Sequence, residues 1–131
     1  MNPQLFKSRG GVARIFKAFR YSMQGMQHAF THEAAFRQEL LLLVPSVAVL
    51  AFVDIARLEK LFLVALAVIV LTVEILNSAI EAVVDRISED AHPLSGRAKD
   101  LGSAAVFLVL SLYVVCWLTL VAAPLVATWA K

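Results

Sequence analysis

Cysteine is nearly absent from this chain, and acidic residues are wholly absent from its first 32 positions. Cys116 is the only cysteine and lies in an apolar run, which excludes disulfide frameworks and cysteine-based metal centres. No Lys/Arg run is present and the formal charge is only +2, so nucleic acid is not expected as a partner. There are five glycines and no GxxxxGK[ST] phosphate loop. His28, His32 and His92 match no zinc-ligand spacing. Residues 1–30 contain no uninterrupted apolar core, so no secretory signal peptide is expected, and neither repeats nor low-complexity tracts occur.

What the chain has instead is apolar surface. Hydrophobic residues make up 60% of it and charged ones 17%, with a mean hydropathy of +0.78. A soluble domain of 131 residues leaves too much of its area exposed to hide that content, so lipid must be part of the solvent. Charge-free runs cover residues 40–53, 61–73 and 101–130. Only the last reaches the ~20 residues a spanning helix needs. The first, which Pro45 interrupts, and the second must borrow from polar neighbours. The expected architecture is a single all-α membrane domain. A surface helix over about 5–30 precedes spans at 33–53, 58–88 and 99–128.

The surface helix follows from Val12, Ile15, Phe16, Phe19, Met23, Met26 and Phe30, which recur every three or four residues. Arg14, Lys17, Gln24 and His28 fall opposite, which suits a helix lying among anionic headgroups. Five basic residues in the first 32 and three in residues 85–100 outweigh two at 54–60 and Lys131. That bias predicts a cytoplasmic N-terminus and a C-terminus on the outer side of the membrane. Trp117 and Trp129 read as packing and interfacial anchors.

The chemistry concentrates in Glu74-Ile-Leu-Asn77-Ser78-Ala-Ile-Glu81-Ala-Val-Val-Asp85-Arg86. At ~100° per residue, Glu74, Asn77, Glu81 and Asp85 fall within an arc of ~80°. Leu76, Ala79, Ile80, Val83 and Ile87 occupy the opposite face. Carboxylates so close repel unless a cation compensates, and an oxygen-only set favours Mg²⁺ over zinc. A solvated helix end is the plainer alternative, and it suits Asp85 better than Glu74. Glu33 and Arg37, four residues apart with Gln38 and Glu39 beside them, form either part of the same layer or a simple salt bridge. Arg97 and Lys99 either hold phosphate oxygens or mark the cytoplasmic boundary. Such a set suits phosphoryl transfer to a membrane-dissolved alcohol, and equally an ion-handling subunit.

The same blocks closely resemble the signature of the prokaryotic integral-membrane diacylglycerol kinases, the Gram-negative type more than the undecaprenol kinases. The segments carrying the resemblance are the Glu74–Ile87 stretch, Glu33-Ala-Ala-Phe-Arg-Gln-Glu39, and Leu94-Ser-Gly-Arg-Ala-Lys-Asp100 with Gly102-Ser-Ala-Ala105. Arg14-Ile-Phe-Lys-Ala18 and Tyr21-Ser22 extend it to the N-terminal helix, although Arg20, Met23, Ala91 and Pro93 depart from the family's usual residues. The resemblance implies a homotrimeric, ATP- and Mg²⁺-dependent kinase of the bacterial inner membrane that makes phosphatidic acid in sites shared between subunits. By motif position Glu74 would be the base, with Asn77, Lys99 and Asp100 completing the catalytic set. Glu33 and Glu81 would hold metal and nucleotide phosphates. Arg14, Tyr21, Asp90, Ala91 and His92 would help bind ATP, with Lys99 and Asp100. Arg14, Phe36, Arg37, Gln38, Glu74 and Ser103 would meet the lipid.

Overall fold

A computed structural model describes residues 11–87 and 92–129, with side chains through residue 126. Asp90 and Ala91 lie outside the described residues. Every element among the described residues is helical: α1 (Gly11–His32), α2 (Ala34–Val49), α3 (Arg57–Ile87), α4 (Pro93–Trp117) and α5 (Ala123–Trp129). A π-helical segment, Leu118–Ala122, joins the last two. The chain divides into two units, Met1–Glu33 and Ala34–Lys131.

In the first unit the apolar stripe of α1 (Val12, Ile15, Phe16, Phe19, Met26 and Phe30) is exposed. At its C-terminal end the rings of His28 and His32 stack with centroids 4.3 Å apart. Thr31 Oγ1 donates to Gln27 O at 2.8 Å. A histidine in the last turn suits the negative end of the helix dipole. Glu33 then leaves helical geometry while its N–H still donates to Ala29 O.

In the second unit α2 runs through Pro45, so the proline interrupts the hydrogen-bond ladder without ending the helix. The helix closes instead by tighter bonds, with the N–H groups of Leu50, Ala51 and Phe52 donating three residues back. That shift leaves Ser46 O without the Leu50 N–H an α-helix would offer it, and Trp117 Nε1 donates to it at 3.2 Å. Ser46 Oγ uses its one proton on Leu43 O (2.8 Å), so Tyr113 Oη must donate to Ser46 Oγ across their 2.6 Å contact. Tyr113 is buried with Leu43, Leu66, Ala67 and Val70 in the main core. Tyr113→Phe keeps the ring and loses only this bond. It is expected to destabilise the protein by about 1 kcal/mol, read as a lower midpoint in denaturant titration of the micelle-bound protein.

Helix α3 begins at a capping arrangement in which Ala56 N–H donates to Glu59 Oε2 at 2.9 Å. Helix α4 begins with Pro93 in its first turn, and His92 Nδ1 accepts from Leu94 N–H at 3.2 Å. Further along, Ala123 N–H reaches back five residues to Leu118 O. Pro124, which has no N–H for Leu120 O, follows at once, and the wider π turn accommodates it. By length and hydropathy, Arg57–Ile87 and Pro93–Val126 are the two described helices able to cross a membrane. α2, with 16 residues, is shorter.

Burial in this unit is inverted relative to a soluble protein. Leu76, Ile80, Val83 and Ile87 on α3 are exposed, as are Phe107, Leu108, Leu112 and Val115 on α4. Glu39, Glu74 and Asn77 are buried. Water would penalise both choices, whereas lipid favours the first and leaves the polar groups to face protein.

Candidate active site

The site is assembled by the inward face of α3. Glu74 is 3% exposed and Asn77 9%, although Glu74 directly follows the apolar run of residues 61–73. One turn on, half-buried Glu81 accepts a hydrogen bond from Asn77 Nδ2 at 3.2 Å. The carboxylate acceptor fixes which end of the amide is which, so Oδ1 points the other way. There it is buried without a hydrogen-bond partner, and it faces Gly102 of α4. A Cβ built at Gly102 would collide with Asn77 Oδ1 and come within 3.3 Å of its Cγ. Absence of a side chain at position 102 is therefore what lets α4 close over Asn77.

At the end of the ladder, Asp85 accepts from Lys99 Nζ at 2.6 Å, which ties α3 to α4. Lys99 is also near enough to Glu81 to feel its charge. Asp85 is exposed, as the plainer reading expected, and its partner there is Lys99. Sequence reasoning also left one acid without a role. Glu39 of α2 is 7% exposed and close enough to Glu74 for their charges to repel. The available signal was its position as the last charge before residues 40–53, but which acid of α3 it opposes depends on helix packing.

The remaining candidates are dispersed. Phe36 is buried and Arg37 half-buried on α2, where Gln38 is exposed. Asp100 and Ser103 are exposed on α4, and His92 caps that helix. Arg14 and Tyr21 are exposed on α1, and Glu33 ends the same unit. No cluster of three or more His, Cys, Asp or Glu able to hold a metal occurs among the described residues.

Fold and site together define a class: an all-helical protein with membrane-length helices that turns carboxylates and an amide inward and apolar side chains outward. Comparison with known proteins sharpens it. Residues 20–121 match the prokaryotic diacylglycerol kinase family, to which this chain belongs. A diacylglycerol kinase of Pseudomonas aeruginosa is 48% identical over 120 residues, covering 92% of this chain and 98% of that protein. The Escherichia coli K12 diacylglycerol kinase is 47% identical over 107 residues, 82% of this chain and 88% of its own length. That of Haemophilus influenzae is 39% identical over an equal length.

Proposed function

We propose that this chain is an ATP-dependent diacylglycerol kinase, transferring the γ-phosphoryl group to the free hydroxyl of diacylglycerol to give phosphatidic acid. The observation that carries the reading is a buried acid, Glu74, held in a polar ladder on a membrane-length helix of a diacylglycerol kinase family member. Such an acid lies where a lipid hydroxyl can reach it while the nucleotide approaches from water. Glu74 takes the hydroxyl proton as the oxygen attacks the γ-phosphorus and the bond to the β–γ bridging oxygen breaks, releasing ADP. Asn77 aligns Glu81 through their hydrogen bond. Lys99, released from the weak, half-exposed pair with Asp85, binds phosphate oxygens, with Asp100 beside it. Arg14, Tyr21, Asp90, Ala91 and His92 would help bind the nucleotide, while Phe36, Arg37, Gln38 and Ser103 would contact the lipid.

The carboxylates in the proposed set are oxygen donors of the kind Mg²⁺ prefers. It commonly takes one or two carboxylates and completes its shell with water and phosphate oxygens, so a cage of three protein acids is not required. Glu33 and Glu81 would hold it, and when bound it would offset charge on the transferring phosphate. The assembly is a homotrimer in the inner membrane with three crossings per chain, N-terminus cytoplasmic and C-terminus periplasmic. α1 lies on the cytoplasmic surface. The basic bias of residues 1–32 supports that orientation. The exposed small residues Ser103, Ala104 and Ala105 on α4 support close approach of a neighbouring subunit's helix.

The test is labelled phosphate transfer from ATP to diacylglycerol in mixed micelles, with undecaprenol assayed alongside. Diacylglycerol labelling that a chelator abolishes and Mg²⁺ restores is the expected result. A folded protein that labels undecaprenol alone, or neither lipid, sinks the proposal.

A further inference from the structure

Helices α2 and α4 border an apolar cavity of about 340 Å³, with Leu42, Pro45 and Val49 on one wall and Val114, Trp117 and Leu118 on the other. That volume lies within the range of pockets that take small ligands, roughly 300–1,000 Å³. No charged side chain lines it, and its polar groups are already spent on one another. Tyr113 Oη donates to Ser46 Oγ, Ser46 Oγ to Leu43 O, and Trp117 Nε1 to Ser46 O. What is left for an occupant is hydrocarbon contact, so the occupant is apolar. Its place along the helices says which apolar group. At ~100° per residue, Gln38, Leu42, Pro45 and Val49 share an arc of ~60° on α2, and Ser103, Leu110, Val114 and Trp117 share one of ~60° on α4. Gln38 and Ser103, both exposed, are lipid contacts in the proposed function. Ser46 and Tyr113, which meet at 2.6 Å, stand eight and ten residues beyond them, so the two stripes reach the cavity nearly in step. At 1.5 Å per residue, Val49 is about 16 Å along α2 from Gln38. One leaflet of hydrocarbon, half of a ~30 Å core, is about as deep. A lipid whose glycerol sits between Gln38 and Ser103 therefore lays the far half of a chain against this cavity.

We propose that the cavity between α2 and α4 holds the distal half of one acyl chain of diacylglycerol, and so makes the reaction sensitive to chain length. The inference rests on the diacylglycerol kinase reading, with Gln38 and Ser103 at the glycerol end. A long chain fills the cavity and fixes the hydroxyl against the polar ladder, whereas a short one ends above it and is held less firmly.

Two measurements test it. In a Trp129→Phe background Trp117 is the only tryptophan, and because it lines the cavity its fluorescence reports what enters. A diacylglycerol brominated near its chain ends, added to the protein in detergent micelles, should quench Trp117 along a saturating curve. Dipalmitoylglycerol should reverse the quenching, and dioctanoylglycerol, with chains about half as long, should reverse it poorly. This readout needs no turnover. The second measurement narrows the cavity with Val114→Phe. It is expected to lower kcat/KM for dipalmitoylglycerol about 10-fold more than for dioctanoylglycerol, the scale on which an apolar pocket discriminates. Three results overturn the proposal. Absent quenching means that protein covers the cavity. Quenching that does not saturate, and that a brominated phosphatidylcholine reproduces, means bulk lipid only. An equal effect of Val114→Phe on both substrates means that chain length is not read there. A wild type that labels neither diacylglycerol removes the kinase reading itself, whereas activity on both beside any of these three results removes only the role of the cavity.

Discussion

Glu74→Gln is expected to lower phosphate transfer to diacylglycerol by about 10²–10⁴-fold, the range a positioned general base contributes. The substitution keeps side-chain volume and polarity, so the packing of α3 should survive. Thermal stability should change little, because the amide fills the same space as the carboxylate. The two readouts therefore diverge, which a merely structural acid would not produce. KM for Mg-ATP should change little, because the lost interaction is with the alcohol's proton in the transition state rather than with bound nucleotide. Steady-state kinetics in mixed micelles, alongside a denaturant titration, decide the matter. Turnover within about threefold of wild type would show that the proton leaves by another route.

Gly102→Ala is expected to cost almost as much, through geometry rather than chemistry. The new methyl group would occupy the place of Asn77 Oδ1 and crowd its Cγ at 3.3 Å. Asn77 is buried and tied to Glu81, so it can yield only by breaking that bond or pushing α4 away. Either movement displaces the ladder at Glu81 and Glu74, and a misplacement of about 1 Å can cost about 10²-fold in rate. Stability should fall less than activity, since Ala is intrinsically better than Gly in a helix by about 1 kcal/mol and offsets part of the overpacking. Gly102→Leu should lose both. A fully active Gly102→Ala enzyme would mean that α4 closes over Asn77 differently.

The contrast between these two residues shows where the sequence was readable. Placing Glu74, Asn77 and Glu81 on one face needs only the 3.6-residue period, which is local, and the helical character of the chain follows from the same arithmetic. Lipid as solvent follows from composition, because 60% hydrophobic content exceeds what so short a chain can bury. The family likeness is carried by contiguous blocks and needs no structure.

The partners of those residues are a different matter. Gly102 stands 25 positions beyond Asn77, Glu39 stands 35 before Glu74, and Tyr113 and Trp117 meet Ser46 over 67 and 71 residues. Such pairings depend on how α2, α3 and α4 rotate and slide against one another, which no local period encodes. So the sequence by itself determined a helical, lipid-dissolved chain with an acidic ladder on one face. Only tertiary packing decided that the ladder is closed by a glycine, faced by a second acid and met at its end by Lys99, because side chains distant in sequence become neighbours only when the helices pack.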